Sequence, residues 1–445
     1  MNILVFTNTY RPIVGGVSES VQRFVEQFEV LGHRVLVIAP NIEGQSPHED
    51  NVLRVPSFQR FNGTQFSFPM FMTSQVVDAV EAFGPDIIHA HHPFLLGDAA
   101  ARLAQRLSVP LVFTHHTLYE RYIHYFPSNS PAIKRFAVAL ASCYAELCDT
   151  VIVPSESVRD ILDKRDVGTP IEVLPSGVYT ERFASGDASI WRHHFGIDEH
   201  THVVGHVGRL AREKNLMFMT RAVCRFLKAR PDAHFMVVGD GDEAEAMVNI
   251  ARQQGVSERV HFTGVLSGQS LVDAYHAMNS FVFASHSETQ GMVVAEAMAA
   301  GLPVVALDAP GVREVVRNEV NGLLLPDENE AAMADALVKV SRQEDYVRLT
   351  RGALDSAQHF DARVCAERCL ALYSRLIEQA GNEVTPKHAD PTFWDSVTSR
   401  FDAEWHILRH RGAVLKEVFW DRRDDPDDPP GGAPSPADQA VTGNK

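Results

Sequence analysis

The chain has 445 residues, 45% of them hydrophobic and 22% charged, and this length is too great for one compact core. We therefore expect a globular protein of about two to four domains. The formal net charge of -16 leaves no basic excess to neutralise phosphates, which disfavours a general nucleic-acid binder. Five scattered cysteines without metal-ligand spacing indicate reduced thiols and predict neither a disulfide framework nor a metal site: Cys143, Cys148, Cys224, Cys365 and Cys369.

The first part of the chain alternates short apolar runs with amphipathic helical runs. The apolar run 3–6 is followed by a predicted helix over 18–31, which Gly32 ends. Another helix is predicted over 95–107, and further apolar runs lie at 34–39, 86–91, 110–114 and 150–155. Fully apolar strands that alternate with helices predict a parallel sheet covered on both faces.

The N-terminal segment MNILVFTNTY has no basic region before a long apolar run, so it indicates a buried first strand and not a signal peptide. No apolar stretch approaches the length of a transmembrane helix. These features predict a cytoplasmic protein that is at most peripheral on the inner face of the cell membrane.

The alternation begins again near residue 202. Its apolar runs lie at 202–208, 233–241, 259–264, 280–285, 302–307 and 321–326. We predict two doubly wound α/β domains with the boundaries 1–176 and 201–381, joined by a connector over 177–200. Open parallel sheets bind ligands at the carboxyl ends of their strands, so the cleft between the domains is the expected site.

The pattern fails after about residue 382. We predict a helical extension over 382–420 from its apolar spacing, and a disordered acidic tail over 421–445, which is rich in Pro, Gly and Asp.

A glycine pair ends the loop after the first predicted strand, in NTYRPIVGGVSES. Gly15 and Gly16 allow backbone amides to approach an anion at the start of the following helix. The dinucleotide pattern GxGxxG is absent. Simple loop geometry would also explain the two glycines.

The segment VGRLAREKN follows the first strand of the second series and contains Arg209 and Lys214. A guanidinium and an ammonium at the mouth of a cleft suit a diphosphate, because they can share several oxygens. Two solvated charges at a helix start are the alternative interpretation.

The strongest signal is SHSETQGMVVAEAMAAGLPVV, with Glu288 in a polar turn and Glu296 in an apolar helix. An unpaired buried carboxylate is costly, so Glu296 requires a partner. A vicinal diol such as a ribose would meet that need, and so would a protein Arg or Lys. A glycosidase pair fits poorly, since glycosidase carboxyl groups lie on opposite sides of the scissile bond.

Taken together, the Gly-Gly turn, GRLAREKN and SETQGMVVAEAMAAGLPVVA closely resemble glycosyltransferase family 4. The resemblance covers about residues 1–380. It implies a GT-B fold, with an acceptor-binding and a nucleotide-sugar-binding Rossmann-like domain facing each other across a cleft. It also implies retaining transfer from a nucleotide sugar, with no general nucleophile, no metal and no further cofactor.

The resemblance also implies roles for individual residues. Arg209 and Lys214 would bind the donor diphosphate, Glu288 would face the transferred sugar, and Glu296 would hold the ribose. The donor would also contact the glycine turn, the base-side backbone over 259–266 and the start of the helix after Glu288: Gly15, Gly16, Val265, Thr289, Gly291, Met292 and Val293.

The segment FTHHTLYERYIHYFP resembles that of diacylglycerol glucosyltransferases. By this likeness His116 is the catalytic-cleft histidine near the sugar, and His115 is its neighbour. An aromatic–basic stretch follows that could lie in a headgroup layer or pack as an ordinary aromatic helix: Tyr119, Arg121, Tyr122, Tyr125, Phe126, Lys134 and Arg135. One departure from the family is Tyr179, where an Asp is usual.

These resemblances imply transfer of a hexose, glucose from UDP-glucose, to diacylglycerol or a related lipid, giving an α-glycoside. A soluble or polyprenyl-linked glycan is the alternative acceptor. From another class, a nucleotide-sugar epimerase could recruit His115, His116 and Glu288 as acid–base groups. The expected partners are a nucleotide sugar, a lipid or glycan acceptor and a membrane surface, and no nucleic acid.

Overall fold

The computed structural model describes residues 1–13, 15–45, 49–58, 68–69, 73–118, 131–286 and 288–382. The predicted helical extension and acidic tail therefore lie outside the described residues, apart from Asn382. Across these ranges every helix is too short or too polar to cross a bilayer.

The first domain is built on a seven-stranded sheet in the order β3-β2-β1-β6-β7-β8-β9, and every pair in it is parallel. Its strands are β1 Asn2–Phe6, β2 Arg34–Pro40, β3 Val52–Val55, β6 Ile87–Ala90, β7 Leu111–Thr114, β8 Thr150–Val153 and β9 Ile171–Val173. Its helices are α1 Gly16–Val30, α2 Ser74–Phe83, α3 Leu96–Leu107, α4 Pro131–Glu146 and α5 Glu156–Asp163. A small antiparallel pair, β4 Ser57–Phe58 and β5 Phe68–Pro69, lies beside it.

The second domain has a six-stranded parallel sheet in the order β12-β11-β10-β13-β14-β15. Its strands are β10 Val203–Val207, β11 His234–Val238, β12 Val260–Gly264, β13 Ser280–Phe283, β14 Val304–Leu307 and β15 Gly322–Leu325. Its helices are α8 Leu216–Ala229, α9 Ala244–Gln253, α10 Gly268–Ala277, α11 Met292–Ala299, α12 Glu330–Val340 and α13 Gln343–Ala357. Two short helices, α6 Thr180–Phe183 and α7 Ala188–His194, precede it.

Each sheet is covered on both faces, which is why its strands are apolar along their whole length. Four hydrophobic clusters result, one on each face of each sheet. In both sheets the strand order reverses beside the first strand of the domain, between β1 and β6 and between β10 and β13. The predicted pair of doubly wound parallel domains is confirmed.

The last described helix, α14 Ala362–Asn382, returns to the first domain. Its buried residues, among them Cys365, Cys369 and Tyr373, share a cluster with Val5 of β1 and Phe28 of α1. The predicted boundaries put these residues in the second domain, but their side chains lie in the core of the first. Burial raises the pKa of the Cys365 and Cys369 thiols to about 12, so both act as packing residues.

The two connections between the domains run side by side. Val178 of the outgoing strand donates to the Phe360 carbonyl at 2.6 Å, and Ala362 of the returning strand donates to the Val178 carbonyl at 2.8 Å. Gly177 has φ +73°, and a Cβ on it would lie 2.8 Å from the Ala362 Cα. The close approach of the two strands therefore requires glycine at position 177.

We expect Gly177→Ala to lower the free energy of unfolding by about 1–3 kcal/mol, because it forces an L-residue into the left-handed region and against backbone. Urea unfolding followed by circular dichroism measures the change. Gly168→Ala is the control, because an added Cβ there meets no atom within 4 Å. Equal unfolding midpoints for the two variants would contradict the close-approach argument.

Candidate functional site

The carboxyl edges of the two sheets meet. Helix α1 follows the first strand of its domain, and α11 follows β13, which lies next to the first strand of the other sheet. Contacts among the described residues that join the edges directly include Arg23 to Glu296 at 3.0 Å, the Ser176 amide to the Gln290 side-chain oxygen at 2.8 Å, and the Ser157 amide to the Glu314 carboxylate at 2.8 Å. The site predicted from topology is therefore an interdomain one.

The glycine turn lies at the start of α1. Gly15 is the N-cap and Gly16 the first helical residue, and both are exposed with open space around them. No described side chain caps this helix start, so its first amide groups remain available to an anion.

The second domain supplies the charged part of the site from two loops. Lys214 forms a short ion pair with Glu288, and its Nζ lies 5.9 Å from the centre of the Phe283 ring. Both charged side chains are largely buried, with 17% and 15% of their surfaces exposed. Arg209 is half exposed and pairs with Glu213 at 2.5 Å. The structure thus brings Lys214 and Glu288 together, with Arg209 on the same loop.

Helix α11 begins with another group of available amides. Gly291 is its N-cap at φ 72°, and no described side chain caps the helix. Thr289, Met292 and Val293 are half-buried around this start. An anionic or hydroxyl-bearing ligand can accept hydrogen bonds here beside Glu288.

Glu296 has protein partners on both carboxylate oxygens. Arg23 of α1 donates to Oε1 at 3.0 Å, and the Tyr275 hydroxyl of α10 donates to Oε2 at 3.1 Å. Burial raises the pKa of Glu296, and the nearby Arg23 charge opposes this rise. The sequence left two kinds of partner open for this carboxylate, a vicinal diol and a protein Arg or Lys. The structure shows an arginine, and it comes from the other domain.

A histidine cluster lies at the ends of β6 and β7. His116 is buried, and its Nε2 lies 2.8 Å from the Nδ1 of His91. The His89 ring lies against that of His91, with ring centres 4.0 Å apart and the planes tilted by 38°, and His89 is hydrogen-bonded to Thr114 and to Tyr373 of α14. Burial lowers the pKa of His89 and of His92 to about 3 and that of His91 and His116 well below the ordinary value. These imidazoles are neutral at physiological pH.

The remaining predicted residues are more scattered. Val265 follows β12 and is 71% exposed. His115 is buried beside His116, and burial lowers its pKa to about 4. The Tyr179 hydroxyl donates to Glu26 of α1, so the residue at the unusual position ties the connector to the first domain.

Most of the aromatic–basic stretch lies outside the described residues. Tyr119, Arg121, Tyr122, Tyr125 and Phe126 lie outside the described residues, as does the side chain of Lys134. Arg135 lies on α4 and is exposed. The membrane and acceptor roles of this stretch remain predictions.

Sequence reasoning missed Arg23, Tyr275, His91 and Gln290, all of which contact predicted site residues or the domain boundary. Arg23 carried a signal, because it is the one charged residue among the buried residues of α1 and stands beside Phe24. Tyr275 and Gln290 carried none, since only the folded chain brings them to Glu296 and Ser176.

Two family models match the chain. The model described as Glycosyltransferase Family 4 matches residues 14–182, and the one described as Glycosyl transferases group 1 matches residues 201–343. The two matches fall on the two domains.

Curated and solved proteins resemble the chain over most of its length. It is 33% identical over 364 residues to the GDP-mannose-dependent alpha-mannosyltransferase of Mycobacterium tuberculosis, covering 78% of this chain and 90% of that protein. It is 29% identical over 374 residues to the alpha-monoglucosyldiacylglycerol synthase of Streptococcus pneumoniae, covering 82% and 84%. The sucrose-phosphate synthase structure from Thermosynechococcus elongatus shares the fold, with a TM-score of 0.68 at 22% identity, covering 85% of this chain and 99% of that one.

The histidine cluster predicts acid sensitivity. A buried His whose pKa is lowered by folding binds fewer protons in the folded protein than in the unfolded one. Its contribution to the free energy of unfolding is therefore fully present above about pH 6.5 and is lost as the pH falls. Each such His adds a slope approaching about 1.4 kcal/mol per pH unit between pH 6 and 5. Urea unfolding at pH 7, 6 and 5 measures the total slope.

We expect His92→Gln to reduce this slope by the contribution of one proton, because the His92 pKa is about 3 in the folded protein. The exposed His193→Gln is the control and should leave the slope unchanged. A His92→Gln slope equal to that of the wild type would show that His92 is accessible to protons in the folded state.

Proposed function

Since the chain belongs to glycosyltransferase family 4 and is a glycosyltransferase that takes a nucleotide sugar as co-substrate, we propose that it transfers glucose from UDP-glucose to diacylglycerol with retention. The product is an α-glucoside of the lipid. The observation that carries the donor side of this proposal is the cluster of Lys214, Glu288 and the uncapped start of α11 at the interdomain edge.

In this proposal Lys214 and Arg209 bind the diphosphate, which is the leaving group. Lys214 has three donor hydrogens, so it can hold Glu288 and a diphosphate oxygen together, while Arg209 binds further oxygens from the same loop. The amides of Gly15 and Gly16 approach the diphosphate from the first domain. Positive charge placed before the reaction stabilises the negative charge that develops on the departing nucleotide.

The reaction needs no protein nucleophile. The bond from the sugar C1 to the diphosphate breaks, the bond from C1 to the acceptor oxygen forms on the same face, and the acceptor proton passes to the leaving phosphate oxygen. Glu288 and the amides of Gly291 and Met292 orient the sugar, and His116 contacts it from the first domain. Because His116 is buried and neutral, it serves as a hydrogen-bonding group and not as a cation. Contact between the domains excludes water from the reacting centre.

Glu296 holds the ribose of the donor in this proposal. Among the described residues each of its carboxylate oxygens has one protein donor, which leaves one lone pair on each for a ribose hydroxyl. The base then lies near the exposed Val265 at the end of β12.

The acceptor assignment rests on the FTHHTLYERYIHYFP segment and on the likeness of most of the chain to monoglucosyldiacylglycerol synthases. A second candidate is mannosyl transfer from GDP-mannose, which the 33% identity to the mycobacterial enzyme favours. The two differ in base, hexose and acceptor, so a single product analysis separates them.

We expect the purified protein to form a hexosyl-diacylglycerol when it is incubated with UDP-glucose and vesicles that contain diacylglycerol. Mass spectrometry of lipids and nucleotides, over a panel that includes UDP-galactose, UDP-N-acetylglucosamine and GDP-mannose, measures product and donor together. Lys214→Met is the inactive control. A mannosylated product from GDP-mannose would replace the first candidate by the second, and an epimerised donor without transfer would contradict both.

Vesicle flotation tests the membrane part separately. The protein should float with vesicles of anionic lipid and diacylglycerol if the acceptor is a bilayer lipid. Recovery only in the soluble fraction at every lipid composition would redirect the acceptor search to soluble or polyprenyl-linked glycans.

We expect Glu296→Gln to raise the KM for the nucleotide sugar about tenfold or more, because charge-assisted hydrogen bonds to the ribose are lost. Initial rates over a range of donor concentrations provide the measurement. Glu330→Gln is the control, since that glutamate pairs with Arg221 on the surface of the second domain. An unchanged donor KM in Glu296→Gln would remove the ribose role.

A further inference from the structure

Arg23 links the first domain to Glu296 of the second. It lies on α1 of the first domain and is 7% exposed. Its guanidinium donates to Glu296 at 3.0 Å, to Glu19 at 2.8 Å and to the Gly177 carbonyl at 3.0 Å, and it lies 3.7 Å from the sulfur of Met292. One side chain therefore contacts both domains and the connector.

Glu296 depends on this contact for its charge. It is 6% exposed on a helix whose other residues are Met, Val and Ala, where an isolated carboxylate is strongly disfavoured. Among the described residues, the charged and titratable groups that face it are Arg23 and Glu19 of α1 and Tyr275 of α10. Of these only Arg23 carries a positive charge, and Glu19 adds a negative one. The positive charge comes wholly from the opposite domain.

The hydrogen bonds of Glu296 leave acceptor capacity for a ligand. Arg23 and Tyr275 fix the two carboxylate oxygens from different sides, and each oxygen keeps one acceptor site. A neutral carboxylic acid in the same position would be a weaker hydrogen-bond acceptor than a carboxylate. Its own O–H group would also need an acceptor. The binding of a vicinal diol by both oxygens therefore requires the ionised form.

We propose that Arg23 is a positioning residue of the donor site. It keeps the Glu296 carboxylate ionised and oriented only while the two domains are in contact, so that recognition of the donor ribose is coupled to domain closure. This inference rests on the proposed ribose role of Glu296. It adds that the first domain, which contacts the sugar and the acceptor, also controls the affinity of the second domain for the nucleotide.

The proposal predicts how arginine variants bind nucleotide. We expect Arg23→Gln to weaken UDP binding at pH 7 by roughly 5- to 150-fold, the range usual for coupling between sites. The affinity should recover towards the wild-type value as the pH rises from 7 to 9, because the buried carboxyl then loses its proton without help from a cation. Arg23→Lys keeps the charge and should retain more affinity than Arg23→Gln at pH 7.

The experiment is a double-variant cycle measured by isothermal titration calorimetry with UDP, and with GDP as a second probe in case the wild type binds it more tightly. The variants are Arg23→Gln, Glu296→Gln and the two combined, each at pH 7, 8 and 9. If Arg23 acts through Glu296, the combined variant binds no more weakly than Glu296→Gln alone. Arg221→Gln, which breaks the Arg221–Glu330 surface pair, is the matched control and should bind as the wild type.

The outcomes separate this inference from the proposed function. Normal nucleotide affinity in Glu296→Gln would overturn the ribose role and, with it, the inference. Weak binding in Glu296→Gln but wild-type binding in Arg23→Gln would overturn the inference alone. If the losses of nucleotide affinity add in the combined variant, or do not change with pH, Arg23 has a purely structural role. The melting temperature of each variant would also report such a role. Tighter binding in Arg23→Gln would overturn the proposal and make the ion pair an inhibitory contact.

Discussion

The buried ion pair between Arg23 and Glu296 is the interaction on which the arrangement of the site depends. A pair of this kind stabilises a fold little, since the desolvation of both charges offsets most of their attraction. Its effect is on geometry. Separating the two residues would leave an uncompensated charge in apolar surroundings, so the pair favours the relative position of the domains in which it can form. The same arginine lies 3.7 Å from the sulfur of Met292, so α1 also contacts the start of α11.

The two edges that meet differ in their electrostatics. The second domain contributes Lys214, Arg209 and Glu288, whose charges suit an anionic donor. The first domain contributes a cluster of histidines that burial keeps neutral. In the proposed reaction this division is sensible, because the diphosphate needs charge while the sugar and acceptor hydroxyls need directional hydrogen bonds in a dry environment.

Helix α14 connects these features in an unexpected way. It follows the second domain in the chain, yet Tyr373 of this helix is hydrogen-bonded to His89, whose ring lies against that of His91, the partner of His116. The returning helix therefore supports the histidine cluster from behind the first sheet. The two connecting segments also pack against each other at Gly177 and Ala362. The position of one domain relative to the other therefore affects the geometry of the site.

The amino-acid sequence by itself determined the two parallel sheets, the glycine turns and the carboxyl-edge location of Glu288, Lys214 and Arg209. Strand and helix periods, and the residues that follow each strand, are local properties that a linear pattern retains. Only the tertiary structure decided that α14 packs on the first domain and that Glu296 is paired with Arg23 and Tyr275. An amphipathic helix carries no mark of which sheet it covers, and a buried carboxylate does not specify the origin of its partner. Both depend on contacts between residues far apart in the chain, 273 positions for Arg23 and Glu296, which only packing of the whole molecule brings together.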